Sequence, residues 1–133
     1  MVDWEDWTKR LKLALGADAT VRLRELFASG GVFSDPVTAQ TTDIASVEDI
    51  TDASFPDWRQ EVTASHGDRT GGAFEWIGSG TLGGGMRIEM HGCTMVELDA
   101  DGLVTRWRDY FDLKEIEKQM GSTIEDFSAD AGA

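Results

Sequence analysis

The stretch that most constrains this chain is 104–112, Val-Thr-Arg-Trp-Arg-Asp-Tyr-Phe-Asp. β-Branched and aromatic residues alternate there with charged ones, and Asp101-Gly102 just ahead supplies a hairpin turn, so the segment reads as a strand. Strand side chains alternate between faces, which sets Thr105, Trp107, Asp109 and Phe111 against Arg106, Arg108 and Tyr110. The first set is mostly bulky and apolar and is expected to look inward. Asp109 then sits as a carboxylate among aromatic rings. Taking a carboxylate out of water is costly without a partner, so it either answers a structural hydrogen bond or serves chemistry.

Helical signals come first in the chain. Asp3 caps a helix over 4–15, with Trp4, Trp7 and Leu11 on one stripe, and Gly16 breaks it. Asp18 is expected to cap a second helix reaching about Ala28, ended by Ser29-Gly30-Gly31. Val32-Phe33-Ser34 is a short strand stopped by Asp35-Pro36, and Ser46 is expected to cap a third helix over 47–54 ahead of Pro56. Strands follow over 59–65, 73–81, 86–98 and 104–112, then a short helix over 113–120 and a polar tail. On the strand 73–81, Phe74, Trp76, Gly78 and Gly80 share one face. Helices followed by long antiparallel strands are the α+β pattern, and a curved sheet wrapped on helices leaves a cone-shaped cavity.

The 133 residues amount to one domain. A net charge of −13 argues against nucleic acid and anionic membrane surfaces as partners. No apolar run approaches membrane-spanning length, and the acidic N-terminus is unlike a signal peptide, so a cytoplasmic location is expected. Cys93 is the single cysteine and makes no internal disulfide. No metal-ligand spacing, nucleophile elbow or dinucleotide fingerprint is present, and Gly83-Gly84-Gly85 lacks the lysine of a phosphate loop. Chemistry without a cofactor is the expectation.

Three motifs carry a family resemblance. They are Phe55-Pro56-Asp57-Trp58, then Glu75-Trp76-Ile77-Gly78-Ser79-Gly80-Thr81, and Asp101-Gly102-Leu103-Val104 running into Trp107-Arg108-Asp109-Tyr110-Phe111-Asp112. Together they resemble the nuclear transport factor 2-like superfamily, and within it the SnoaL-like polyketide cyclase group. The last motif is also similar to the closing hairpin of limonene epoxide hydrolase. The resemblance implies a cone-shaped α+β fold, a strongly curved and mostly antiparallel sheet wrapped around three N-terminal helices. It covers one SnoaL-like domain, 1–120, with a tail at 121–133. One such scaffold hosts many chemistries, so activity has to be argued from the site.

By that resemblance Asp109 falls on the catalytic Asp of limonene epoxide hydrolase, and Asp35 is similar to the proton-shuttling base of ketosteroid isomerase. The chain departs from both. Trp76 and Gly78 stand where the hydrolase has an Arg-x-Asp pair, Arg87-Ile88-Glu89 lying one strand later. Thr94 stands where the isomerase has an oxyanion-hole Asp, and Leu82 where SnoaL-like cyclases often carry His.

The resulting candidate site has Asp109 and Asp35 as catalytic groups and Trp76, Trp107, Phe74, Phe111, Phe33, Thr94 and His91 around a substrate. Aromatic walls are expected to raise the pKa of Asp109 toward neutrality. Thr94 is read as an inward hydroxyl. Parity puts His91 outside with Glu89 and Glu97, unless a bulge near Gly92 turns it inward. Trp4 and Trp7 are expected to pack the first helix on the sheet, and Trp58 to pack the third helix.

Three functions compete. The leading one is a SnoaL-like enzyme doing carboxylate acid–base chemistry (cyclisation, isomerisation or dehydration) on a hydrophobic oxygenated small molecule. A variant is an epoxide hydrolase with an altered relay. The third, of another class, is a non-catalytic ligand-binding or assembly module. The outer face of the last strands, with Cys93, Met95, Arg106, Arg108 and Tyr110, together with the resemblance, points to a homodimer.

Overall fold

A computed structural model describes residues 2–16 and 19–121. Helix α1 (Trp4–Leu15) begins where Asp3 accepts a hydrogen bond from the Asp6 amide, as its capping position demands. Its apolar stripe buries Trp7, Leu11 and Leu15. Trp7 stacks on Trp4 at 5.0 Å and tilts onto Phe74 at 6.3 Å, so the first helix is held to the sheet by its indoles, as expected.

The helix expected up to Ala28 does not form. A 3-10 turn (Leu23–Leu26) leads directly into strand β1 (Phe27–Ser34), and Asp18 lies outside the described residues. Pairing overrides local propensity here. Phe27 aligns with Val104 and packs its ring on Trp107 at 5.7 Å, while Leu26 is buried. Gly30 takes a positive φ of 77° inside a register shift between Phe27 and Val32, a backbone position suited to glycine.

Helix α2 (Ile44–Ser54) starts three residues earlier than expected. Its cap is Asp43, whose carboxylate accepts from both the amide and the hydroxyl of Ser46. Strands β2 (Arg59–Asp68), β3 (Gly71–Thr81), β4 (Arg87–Leu98) and β5 (Val104–Phe111) follow, then helix α3 (Leu113–Met120). The sheet order is β1-β5-β4-β3-β2, antiparallel except for the β1–β5 pair. This is the expected α+β cone: three helices and a curved, unclosed five-stranded sheet, with α3 at the C-terminal side of the sheet instead of a third N-terminal helix.

Glycines shape the concave face. A Cβ at Gly80 would lie 3.0 Å from the Phe55 ring, and one at Gly78 would lie 2.6 Å from Trp58. The two bare positions let Phe55 and Trp58 lie flat on β3. Asp57 pins that segment by accepting from the Thr81 amide at 2.6 Å and the Thr81 hydroxyl at 2.9 Å. Trp58 therefore covers the sheet's concave surface as well as packing on Phe55, the residue that ends α2, at 5.4 Å.

A further correction concerns Thr105. A bulge between Glu97 and Leu98 places Val104 inward and leaves Thr105 exposed, its hydroxyl donating to the Glu97 carbonyl. Trp107, Asp109 and Phe111 keep the inward side. Among the described residues no helix is long and apolar enough to cross a membrane.

Candidate active site

Between the concave sheet and the helices lies a cavity of about 370 Å³, in the range of small-molecule sites. Phe33, Trp76, Trp107 and Phe111 line it, together with both Asp35 and Asp109. Sequence reading left open whether those two carboxylates share a cavity; they do. Asp35 hangs from the turn after β1, where one of its oxygens accepts from the amides of Val37 and Thr38. Val37 and Ile50, 55% and 66% exposed, mark the mouth.

Asp109 is held from one side. Thr94, its cross-strand neighbour, donates its hydroxyl to Asp109 Oδ1 at 2.5 Å, and Trp107 Nε1 donates to the same oxygen at 2.8 Å. Trp76 Nε1 donates in turn to Thr94 Oγ1 at 2.8 Å. That last bond orients the chain: with an indole N–H on its oxygen, Thr94 has its own proton free to give to Asp109. Oδ1 is thus occupied by two donors. Oδ2 receives none among the described residues, and the accessible part of the side chain faces the cavity.

The Asp109 carboxyl is pushed up to about 7. Burial is the main cause, and the nearby charge of Asp35 adds to it; the bonds from Thr94 and Trp107 pull the other way. Since Oδ1 is committed as acceptor, a proton on this carboxyl resides on Oδ2. The site therefore holds a titratable proton near neutrality on the oxygen that faces the cavity.

Three expected lining residues are placed elsewhere. Phe74 is inward but buried between Trp7 and Trp107, behind the cavity wall. Thr94 is inward yet wholly buried, its hydroxyl spent on Asp109 and not on a guest. His91 lies outside, because the β3–β4 register runs unbroken through Ile77–His91 and Trp76–Gly92 with no bulge to invert it. Its Nδ1 meets Glu115 of α3 at 2.8 Å, which raises its pKa.

Sequence reading missed other walls: Phe55, Trp58 and Met90, and Ile116 and Met120 of α3. The signal for the first two was present, since Gly78 and Gly80 on an otherwise bulky face leave a gap that rings from elsewhere must fill. Among the described residues no group of three or more His, Cys, Asp or Glu is arranged to hold a metal ion.

The fold and site define a class: small cone-shaped α+β proteins that enclose an apolar pocket with an embedded carboxylate. Residues 9–107 match the SnoaL-like domain model, and the chain belongs to that family. The matched span ends two residues before Asp109, so that residue's role rests on geometry. Solved structures agree on the fold. A protein of ketosteroid isomerase-like fold from Catenulispora acidiphila, in complex with trimethylamine, is 20% identical, with 88% of this chain and 93% of that one covered and a TM-score of 0.74. IdmH, a proposed polyketide cyclase from Streptomyces antibioticus, is 23% identical over 88% and 97% of the chains at 0.71. An LEH-like epoxide hydrolase from M. tuberculosis is 17% identical over 85% of each chain at 0.68. No protein with a curated description matches the sequence.

Proposed function

We propose that this cavity is the active site of a SnoaL-like enzyme that moves a proton on a hydrophobic small molecule, in a cyclisation, isomerisation or dehydration. Asp109 is the proton carrier and Asp35, at the end of the neighbouring strand β1, assists. One observation carries the reading: a carboxyl anchored through Oδ1, with Oδ2 open to an aromatic cavity and a pKa of about 7. Ionised, Oδ2 can take a proton from a carbon beside a carbonyl; protonated, it can return that proton elsewhere on the same molecule. The turnover consumes no net proton, and the chain's own side chains carry it. Aromatic walls position the substrate and keep bulk water from competing.

The test is hydrogen–deuterium exchange at carbon. In D2O at pH 7, the protein should accelerate deuterium uptake by a hydrophobic enolisable ketone such as 2-tetralone, read by NMR. Asp109→Asn should abolish the acceleration while the ketone still quenches the cavity tryptophans. Equal exchange with wild type and Asp109→Asn would refute Asp109 as the carrier. A second reading, hydrolysis of an epoxide by water activated between Asp109 and Asp35, is favoured by the two carboxylates on one cavity. Turnover of a hydrophobic epoxide to a diol, lost in either Asp→Asn variant, would select it.

We also propose that two copies pair through the outer face of β3, β4 and β5. Met95 and Tyr110 are exposed there, and Arg108 Nε is buried without a hydrogen-bond partner. A monomer by light scattering at micromolar concentration would count against pairing.

A further inference from the structure

The cavity's polarity is one-sided. Three tryptophans line it, and each N–H is already committed inside the protein: Trp76 to Thr94, Trp107 to Asp109, Trp58 to Gln60 at 3.3 Å. A guest therefore meets these indoles and the rings of Phe33, Phe55 and Phe111 as aromatic surface, with no indole N–H left to offer it. Two carboxylates look into the same space, each with one oxygen that accepts nothing among the described residues.

Among the described residues no positive side chain on the lining is free to answer them. Arg22, at the rim, is the sole Arg or Lys on the lining, and its guanidinium is engaged by Glu48 at 3.3 Å and Asp52 at 2.9 Å. The uncharged donors left on the lining are Thr38, Ser54 and Gln60. Such a site is rich in acceptors and aromatic surface, which suits an organic cation well. The chain's charge of −13 adds a field in the same sense.

We infer that the natural ligand of this cavity is a hydrophobic molecule bearing a protonated amine, its nitrogen seated between Asp35 and Asp109 with its apolar body on the aromatic walls. The inference rests on the reading of this cavity as the functional site and narrows its substrate class. The ammonium donates N–H bonds to the two open carboxylate oxygens, and the ring faces attract its charge. Binding favours ionised Asp109, so the complex releases a proton from Oδ2 when it forms below the pKa of that group. The titratable groups that share the cavity with this one are Asp35, at the end of the neighbouring strand, and, at the rim, Arg22, Glu48 and Asp52. On the sheet beside it, Cys93, Arg108 and Tyr110 point to the other face.

The experiment compares three soluble probes of similar shape: 2-phenylethylammonium, 2-phenylethanol and 3-phenylpropanoate. Each is titrated into the whole protein, with tryptophan fluorescence and calorimetry as readouts. The ammonium should bind about tenfold or more tighter than the alcohol, and the carboxylate weakest. Its affinity should rise several-fold between pH 6 and pH 8, with proton release seen as a buffer-dependent heat. Asp35→Asn and Asp109→Asn should each remove most of the preference for the ammonium and leave alcohol binding intact, which also shows that the variants are folded. Equal or tighter binding of the alcohol, or no binding of the ammonium, overturns the inference. Neither result touches the proton-transfer reading, whose own readout is deuterium uptake by a neutral ketone.

Discussion

Replacing Asp109 with Asn should make this protein more stable, and increasingly so as pH rises. Burial lifts the carboxyl from an ordinary 3.8 to about 7, so the folded state holds its proton over a range where the unfolded chain has released it. Folded molecules then bind more protons than unfolded ones, and stability falls as pH climbs from about 4 through about 7. At about 1.4 kcal/mol per pH unit the accumulated cost reaches about 4.5 kcal/mol on the alkaline side, an upper figure because the cavity admits some water. Asparagine keeps the acceptor that Thr94 and Trp107 require and never ionises. The variant should therefore match wild type near pH 4 and exceed it by roughly 2–4 kcal/mol at pH 8. Urea unfolding of both proteins at half-unit steps from pH 4.5 to 8.5 measures this directly. Titration of His91 is common to both and cancels in the difference. A gap that stays flat with pH, or a variant less stable at pH 8, would refute a buried carboxyl titrating near neutrality and leave Asp109 as a structural anchor.

Thr94→Val should remove the hydroxyl that holds Oδ1 and orphan the Trp76 N–H, costing roughly 1–3 kcal/mol and pushing the Asp109 carboxyl still higher, so the pH of maximal deuterium exchange moves up. Gly92→Ala places a Cβ 2.2 Å from the Trp76 ring, and overpacking there should cost about 1–3 kcal/mol and shift the fluorescence of the cavity tryptophans. The His91–Glu115 pair ties α3 to β4 while the imidazole is charged; its pKa is raised, so the contribution is full at acid pH and lost as pH rises through the folded value. Amide exchange in α3 should therefore quicken on the alkaline side in wild type and lose that dependence in His91→Gln.

The order of elements was legible because it rests on local chemistry. The Asp3 cap, the Asp35-Pro36 stop and the alternation of 106–111 act within a few residues of themselves, and each appears in the structure where the sequence implies it. The helix expected up to Ala28 failed because its apolar residues satisfy a distant partner: Phe27 pairs with β5, whose position no local pattern encodes. Thr105 failed for a related reason, since one bulge between Glu97 and Leu98 shifts strand parity and has no marker in the sequence. At the site, alternation was enough to place Asp109, Trp76 and Trp107 inward. It could not separate a cavity wall from the layer behind it. Phe74 and Thr94 share the inward face with Trp76, yet Trp7 from α1 covers Phe74, and Thr94 lies under Asp109 and the Trp76 indole.

Two aspartates of this molecule show why Asp109, and not hydrogen bonding to a carboxylate in general, marks the site. Asp57 and Asp109 each accept from a threonine hydroxyl and from at least one N–H. On bonding alone both would sit below the ordinary carboxylate range. Asp57 does, lowered chiefly by the Thr81 amide, because it lies at the surface where the charged form stays hydrated. Asp109 moves the opposite way, so desolvation outweighs two favourable bonds. The distribution of donors differs as well. Asp57 has one on Oδ1 and two on Oδ2, the second of them the Arg87 guanidinium, which leaves no free oxygen to trade a proton. Both donors to Asp109 converge on Oδ1, so its proton has one place to be, the oxygen that opens on the cavity. Gly92 supports this arrangement from below: only a bare backbone there lets Trp76 lie close enough to reach Thr94 and keep that hydroxyl pointed at the carboxylate.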